Sequence, residues 1–90
     1  MLTGTIDITV TLPDGSPLPG AECNLRSEPL LVNQSQFTQS QGRASFQNFR
    51  VGEFDLTVSM DGFVTQKTTV KLVPEGRVQL RFEMQPVGSA

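Results

Sequence analysis

The stretch NQSQFTQSQGRASF, Asn33 to Phe46, decides whether this chain is one folded body or two. Five of its first nine residues are Asn or Gln and two more are Ser, the composition of a polar low-complexity linker. A linker here would divide 90 residues into pieces too short to bury separate cores. The stretch closes instead on GRASF, where a turn residue precedes alternating small and apolar side chains, as at the start of a strand. Linker, binding loop and strand remain the three alternatives, and the flanking sequence has to separate them.

On the N-terminal side, Leu2 to Leu12 carries Leu, Gly, Ile, Ile, Val and Leu at even positions, with Thr and Asp at odd ones. Alternation of this kind is a half-buried strand, because successive side chains point to opposite faces. PDGSPLPG, Pro13 to Gly20, breaks it with a turn pair and three prolines. AECNLRS follows as a second strand, with Ala21, Cys23 and Leu25 sharing one face. On the C-terminal side, RASFQNF turns Ala44 and Phe46 inward, and RVGEFDLTVSM is the strongest core strand, with Phe54, Leu56, Val58 and Met60 inward. After the Asp61-Gly62 turn, FVTQKTTVKLV places Val64, Val70 and Leu72 on one face with Gln66 and Thr68 between them, the pattern of an edge or bending strand. VQLRFEM closes the series with Val78, Leu80, Phe82 and Met84 inward. Short strands between regular turn signals, with no helical period, predict an all-β sandwich.

Composition narrows the function classes. Ninety residues make a single domain, 1–90, with a core over about 2–85 and a short C-terminal tail at 86–90. With 37% apolar residues and neither Trp nor Tyr, the core rests on Val, Leu, Ile and six Phe residues. A net charge of −2, with seven basic residues spread singly along the chain, supplies no cationic face for phosphates and sets nucleic acid aside as a partner. Cys23 is the lone cysteine, so neither an intramolecular disulfide nor a cysteine-based metal cage can form, and its apolar neighbours predict a buried, inert thiol. MLTGTIDITV lacks the basic and long apolar regions of a signal peptide, and no stretch approaches the length of a membrane span. The chain is therefore expected to stay in the cytosol or to leave the cell with something else, without a membrane partner.

With the strands in place, GTIDITVTLPDGSPLPGAECNL resembles the opening of the carboxypeptidase regulatory-like domains, a transthyretin-like branch of the small Ig-like sandwiches. That family has a first strand, a D-G, then P-L-x-G-A and a second strand. Its next landmark, T-D-x-x-G-x-F-x-F, corresponds to TQSQGRASF, Thr38 to Phe46, and its Y-x-L-x-V strand with a terminal D-G-F corresponds to FRVGEFDLTVSMDGF, Phe49 to Phe63. Together the matches run from about Gly4 to Met84. Two positions depart from the pattern: Gln39 replaces a turn-supporting Asp, and Ala44 replaces an aromatic, which thins the core. The resemblance implies an Ig-like, Greek-key β-sandwich of about seven strands. It also answers the opening question: Gln39 to Gly42 form a turn, Arg43 to Phe46 a strand, and Asn33 to Gln41 is ordered with Phe37 at least partly buried.

The search for chemistry finds little. There is no His, which removes the usual general base near neutral pH and the commonest metal ligand, and with them the hydrolytic branch that the resemblance would otherwise suggest. Relatives closed by a Lys-to-Asn isopeptide bond need a Lys in the first strand and an Asn in the last, and neither is present. Asp14 and Asp61 belong to D-G turns, while Glu53 and Asp55 project from one strand face without calcium-loop spacing. No base-backed nucleophile motif occurs. The expectation is a protein that is not an enzyme and uses no cofactor or metal.

Surfaces remain. EPLLVNQSQF sets Leu30, Leu31 and Val32 in a row, so strict alternation leaves at least one facing outward. The candidate interaction residues are Leu30, Leu31, Asn33, Gln34, Gln36, Gln39 and Gln41, an amide-rich rim beside two leucines. The Thr-lined face of the first strand, Thr3, Thr5, Thr9 and Thr11, is a second candidate through addition to a partner's sheet edge. The leading expectation is a structural or decoration component of a virion such as a phage, located in the virion or in host cytoplasm during assembly. Its partners are proteins of the larger assembly, and homo-oligomers fit the same reading. The alternative is a binding or spacer domain of a larger secreted or surface protein, with carbohydrate as one candidate ligand and Phe37, Phe49 or Phe63 as the available platforms.

Overall fold

The computed structural model describes residues 2–87, and among them no helix occurs. The strands in chain order are β1 (Thr3–Thr11), β2 (Glu22–Ser27), β3 (Val32–Phe37), β4 (Arg43–Arg50), β5 (Gly52–Ser59), β6 (Gln66–Leu72) and β7 (Arg77–Glu83). They form a three-stranded sheet in the order β4, β1, β7 and a four-stranded sheet in the order β3, β2, β5, β6. Every pairing is antiparallel except that of β1 with β7, which run parallel from Thr5 opposite Arg77 to Thr11 opposite Glu83. The fold is the all-β sandwich that the strand periods predict, in the Ig-like form that the family resemblance implies.

Alternation does most of the construction. Ile6, Ile8 and Val10 of β1 face Cys23 and Leu25 of β2 and Phe54, Leu56 and Val58 of β5, all essentially removed from solvent. Each such aliphatic or phenyl side chain contributes about 1.5 to 3 kcal/mol on burial. Phe82 and Met84 complete the same layer, while Val78 and Leu80 pack against it half-buried. Burial pushes the Cys23 thiol up to about 11, with the Glu22 carboxylate adding to the shift, so the thiol stays protonated and inert.

Strand β4 departs from simple alternation. Ala44 and Phe46 point inward as expected, but Asn48 adopts φ 53° and the register with β1 shifts between Gly4 and Ile6. The extra residue turns Phe49 into the core, where its ring meets Phe46 edge-on at 5.4 Å and Phe54 at 5.1 Å.

The opening stretch is part of the sandwich. Val32 to Phe37 is strand, and Gln39 to Gly42 is the turn into β4, closed by Gly42 N–H to the Gln39 carbonyl (2.8 Å) and Gln39 N–H to the Arg43 carbonyl (3.0 Å). Backbone bonds thus do the work that the family's Asp would share. Buried Thr38 anchors the segment: its hydroxyl donates to the Leu18 carbonyl (2.7 Å) and accepts from the Ala21 N–H (2.9 Å).

Three expectations need correction. Phe37 is 60% exposed, because β3 is an edge strand and its register places Phe37 beside Glu22 on the outer face of the sheet. Val64 is half-exposed and lies off the inward face, since β6 begins only at Gln66. Strand β1 sits in the middle of its sheet, with β4 and β7 on its two sides, so the threonine-bearing strand has no edge to offer. Of the tail at 86–90, Pro86 bridges Phe63 and the Val87 N–H reaches the Gly62 carbonyl (2.9 Å); residues 88–90 lie outside the described part.

Candidate interaction site

Two sheets of unequal width leave one strand uncovered. Along β3, Asn33, Ser35 and Phe37 stand opposite Arg26, Asn24 and Glu22 on the outer face, while Val32, Gln34 and Gln36 stand opposite Ser27, Leu25 and Cys23 on the core side. Gln34 and Gln36 are nevertheless exposed, because the facing sheet has three strands and ends short of β3. The strand overhangs. Its outer face is stapled by the Asn24 amide, which donates to Asn33 Oδ1 (2.8 Å) and Ser35 Oγ (2.9 Å).

The free side of β3 is an open hydrogen-bonding edge. Thr38 directs its N–H to the Ala21 carbonyl (2.9 Å) and its carbonyl to the Gly20 N–H (2.8 Å), both on the β2 side. Antiparallel alternation then directs the N–H and C=O groups of Phe37, Ser35 and Asn33 away from β2. Four strands have open edges, and three of them carry charge: Arg43 and Arg50 on β4, Arg77, Arg81 and Glu83 on β7, Lys67 and Lys71 on β6. β3 carries none, and the chain is uncharged from Pro29 to Gly42. Charge on an edge strand is the usual guard against unwanted pairing.

The remaining sequence candidates divide. Leu31 is 92% exposed with φ 54°, at the end of the turn closed by its N–H to the Glu28 carbonyl (3.1 Å). Leu30 is held instead: it packs against the core over Gly52, where a Cβ would lie 2.5 Å from Leu30 Cδ1. Gln39 and Gln41 are exposed in the β3 to β4 turn. The structure therefore brings Asn33, Gln34 and Gln36 to one edge, with Leu31 at one end and Gln39 and Gln41 at the other.

Sequence reasoning missed an ionic cluster on the opposite sheet. Asp7 at its centre accepts from Arg77 Nε (2.6 Å) and Ser45 Oγ (2.9 Å), which hold its carboxyl below the usual range, with Arg43 adding to the effect. Arg43 and Arg81 flank Thr9 in register from the two neighbouring strands. Arginines far apart in the chain are thus gathered by topology, against the expectation of scattered charge.

The carboxypeptidase regulatory-like domain family matches residues 5–85. The chain belongs to this family. No curated protein is significantly similar to it. Among solved structures, the TIE protein of Bacillus anthracis superposes with a TM-score of 0.83 at 18% identity, covering 96% of this chain and 17% of that one. A 3-chlorocatechol 1,2-dioxygenase from Rhodococcus opacus gives 0.75 at 11%, covering 96% and 61%. A streptococcal ancillary pilin gives 0.73 at 16%, covering 96% and 33%. At these identities the likeness shows the shared sandwich alone, and the chain spans only part of the length of each of these proteins.

Proposed function

We propose that this chain is a non-enzymatic binding or spacer domain of an extracellular or surface assembly, joined to its protein neighbour by strand addition at β3. The carrying observation is that, among the described residues, β3 is the one uncharged open edge of four, with Asn33, Ser35 and Phe37 offering main-chain donors and acceptors. Gln34 and Gln36 on the overhanging face and Leu31 at the end of the strand would supply side-chain contacts. The regulatory-like family and the pilin among the similar structures support an extracellular setting ahead of the virion setting. The dioxygenase does not argue for catalysis here, since its likeness at 11% identity is one of fold.

The test is to remove one outward donor. Ser35→Pro eliminates the outward Ser35 N–H and keeps every backbone bond between β3 and β2; it gives up the Asn24 contact to Ser35 Oγ, while the Asn24 bond to Asn33 Oδ1 remains. In cells of its source, the wild-type chain should co-sediment with envelope or secreted assemblies, and the variant should be recovered at monomer mass. A wild-type chain found only as free monomer in both cell extract and medium would overturn the proposal.

A further inference from the structure

At the Phe37 end of the four-stranded sheet lies a groove of about 500 Å³ on the outer face. We infer that it is a binding site for a neutral saccharide. Its floor is a row set by strand register: Phe37 of β3, Glu22 of β2 and Ser59 of β5 stand side by side. Neighbouring strands lie about 4.8 Å apart, so the row spans roughly two strand spacings, enough for one sugar ring. The far wall comes from the turn after β5, which contributes Asp61, Phe63 and Thr65.

That wall is fixed. The Phe63 N–H bonds the Met60 carbonyl (3.0 Å), the Val64 N–H bonds the Gln85 carbonyl (2.8 Å), and the Val87 N–H bonds the Gly62 carbonyl (2.9 Å). Phe63 packs half-buried against the core, whereas Phe37 is 60% exposed. The groove therefore pairs a rigid phenyl wall with an open phenyl platform.

The chemistry of the lining selects the ligand. A sugar ring has an apolar C–H face, which a phenyl ring covers, and a rim of hydroxyls, which carboxylates accept through charge-assisted hydrogen bonds. Glu22 and Asp61 supply such acceptors, while Ser59 and Thr65 add hydroxyls. No Lys or Arg lines the groove, so an acidic sugar or a phosphate would meet only like charge. The open form suits an internal unit of a longer chain. This site faces outward from the sheet, not along its edge, so it stands independently of strand addition at β3.

Titration calorimetry of the intact chain with neutral hexasaccharides of glucose, mannose and galactose, and with tri-galacturonate, tests the inference. At least one neutral hexasaccharide should bind and tri-galacturonate should not. Phe37→Ala should weaken binding roughly tenfold or more, and Glu22→Gln by a similar factor. Binding should persist in about 0.5 M salt, where an ionic ligand would be screened off. Leu31→Ser, at the other end of β3, should leave affinity unchanged, and Ser35→Pro should retain saccharide binding even if it abolishes assembly. Failure of all three neutral chains to bind, preference for tri-galacturonate, or neutral binding indifferent to Phe37→Ala would overturn it. A proton spectrum of each variant confirms that the fold is retained, which the exposure of Phe37 leads one to expect.

Discussion

Strands β3 and β5 flank the same strand, β2, yet β5 is held by buried apolar side chains and β3 by hydrogen bonds. Along β5, Phe54, Leu56 and Val58 are buried, so its place is set by the apolar surface it removes from water. Along β3 only Val32, half-buried, packs against the core, and the rest of the strand is placed by the ladder to β2, the amide staple from Asn24 and the Thr38 anchor. A strand exposed over all but its first residue can belong to the sheet while contributing little to the core. Its remaining edge is then available for another use.

The contrast can be broken or sharpened by substitution. Leu56→Ala should destabilise the domain by about 2 to 5 kcal/mol in denaturant titration; a loss under about 1 kcal/mol would mean that β5 is not the structural partner it looks. Gly42→Ala should cost about 1 to 3 kcal/mol, because φ there is 72° and a Cβ would lie 2.5 Å from the Val10 carbonyl oxygen. Thr38→Val should lose about 2 kcal/mol by leaving the Ala21 N–H and the Leu18 carbonyl unpaired, which thermal unfolding would register.

Cys23 lies between the two strands, opposite Gln36 on one side and Val58 on the other. Its raised titration favours the folded state's neutral thiol. That contribution to stability is fully present below the ordinary thiol value of 9.0 and is lost as pH rises through about 11. Stability should therefore fall over that interval, and Cys23→Ala should flatten the decline. Gln36→Ala should be the smallest effect, within about 0.5 kcal/mol. A larger loss would show that the overhanging amides stabilise the monomer. Hydrogen exchange adds the matching kinetic contrast: the amides of Ser35 and Phe37 should exchange far faster than that of Leu56.

The sandwich was legible wherever alternation runs against a buried face, as in Ile6, Ile8 and Val10 or Phe54, Leu56 and Val58. Phe37 was misplaced because a phenyl in a strand pattern implies a covered face, and coverage depends on the width of the opposite sheet. The inward turn of Phe49 was hidden by the residue inserted at Asn48, which shifts the alternation by one. The amide-rich segment was found as a candidate surface from its composition, but its open edge follows from strand order. The same is true of the Asp7 cluster and of the groove between Phe37 and Phe63, whose members come from distant parts of the chain. Leu30 shows the opposite failure: three apolar residues in a row do not say which one Gly52 will admit.

The parallel pairing of β1 with β7 has a mechanical consequence. The two strands run in the same direction along a body 48 Å long, so residue 2 and residue 87 leave from opposite ends. Tension applied between those ends would pull β1 and β7 past each other along their length. The pairs from Thr5 and Arg77 to Thr11 and Glu83 would then share the load in shear, giving way together where a hairpin pulled from one end would unzip bond by bond. Force spectroscopy with handles at the two ends should find a single high rupture event, the behaviour of a stiff link in a chain under load.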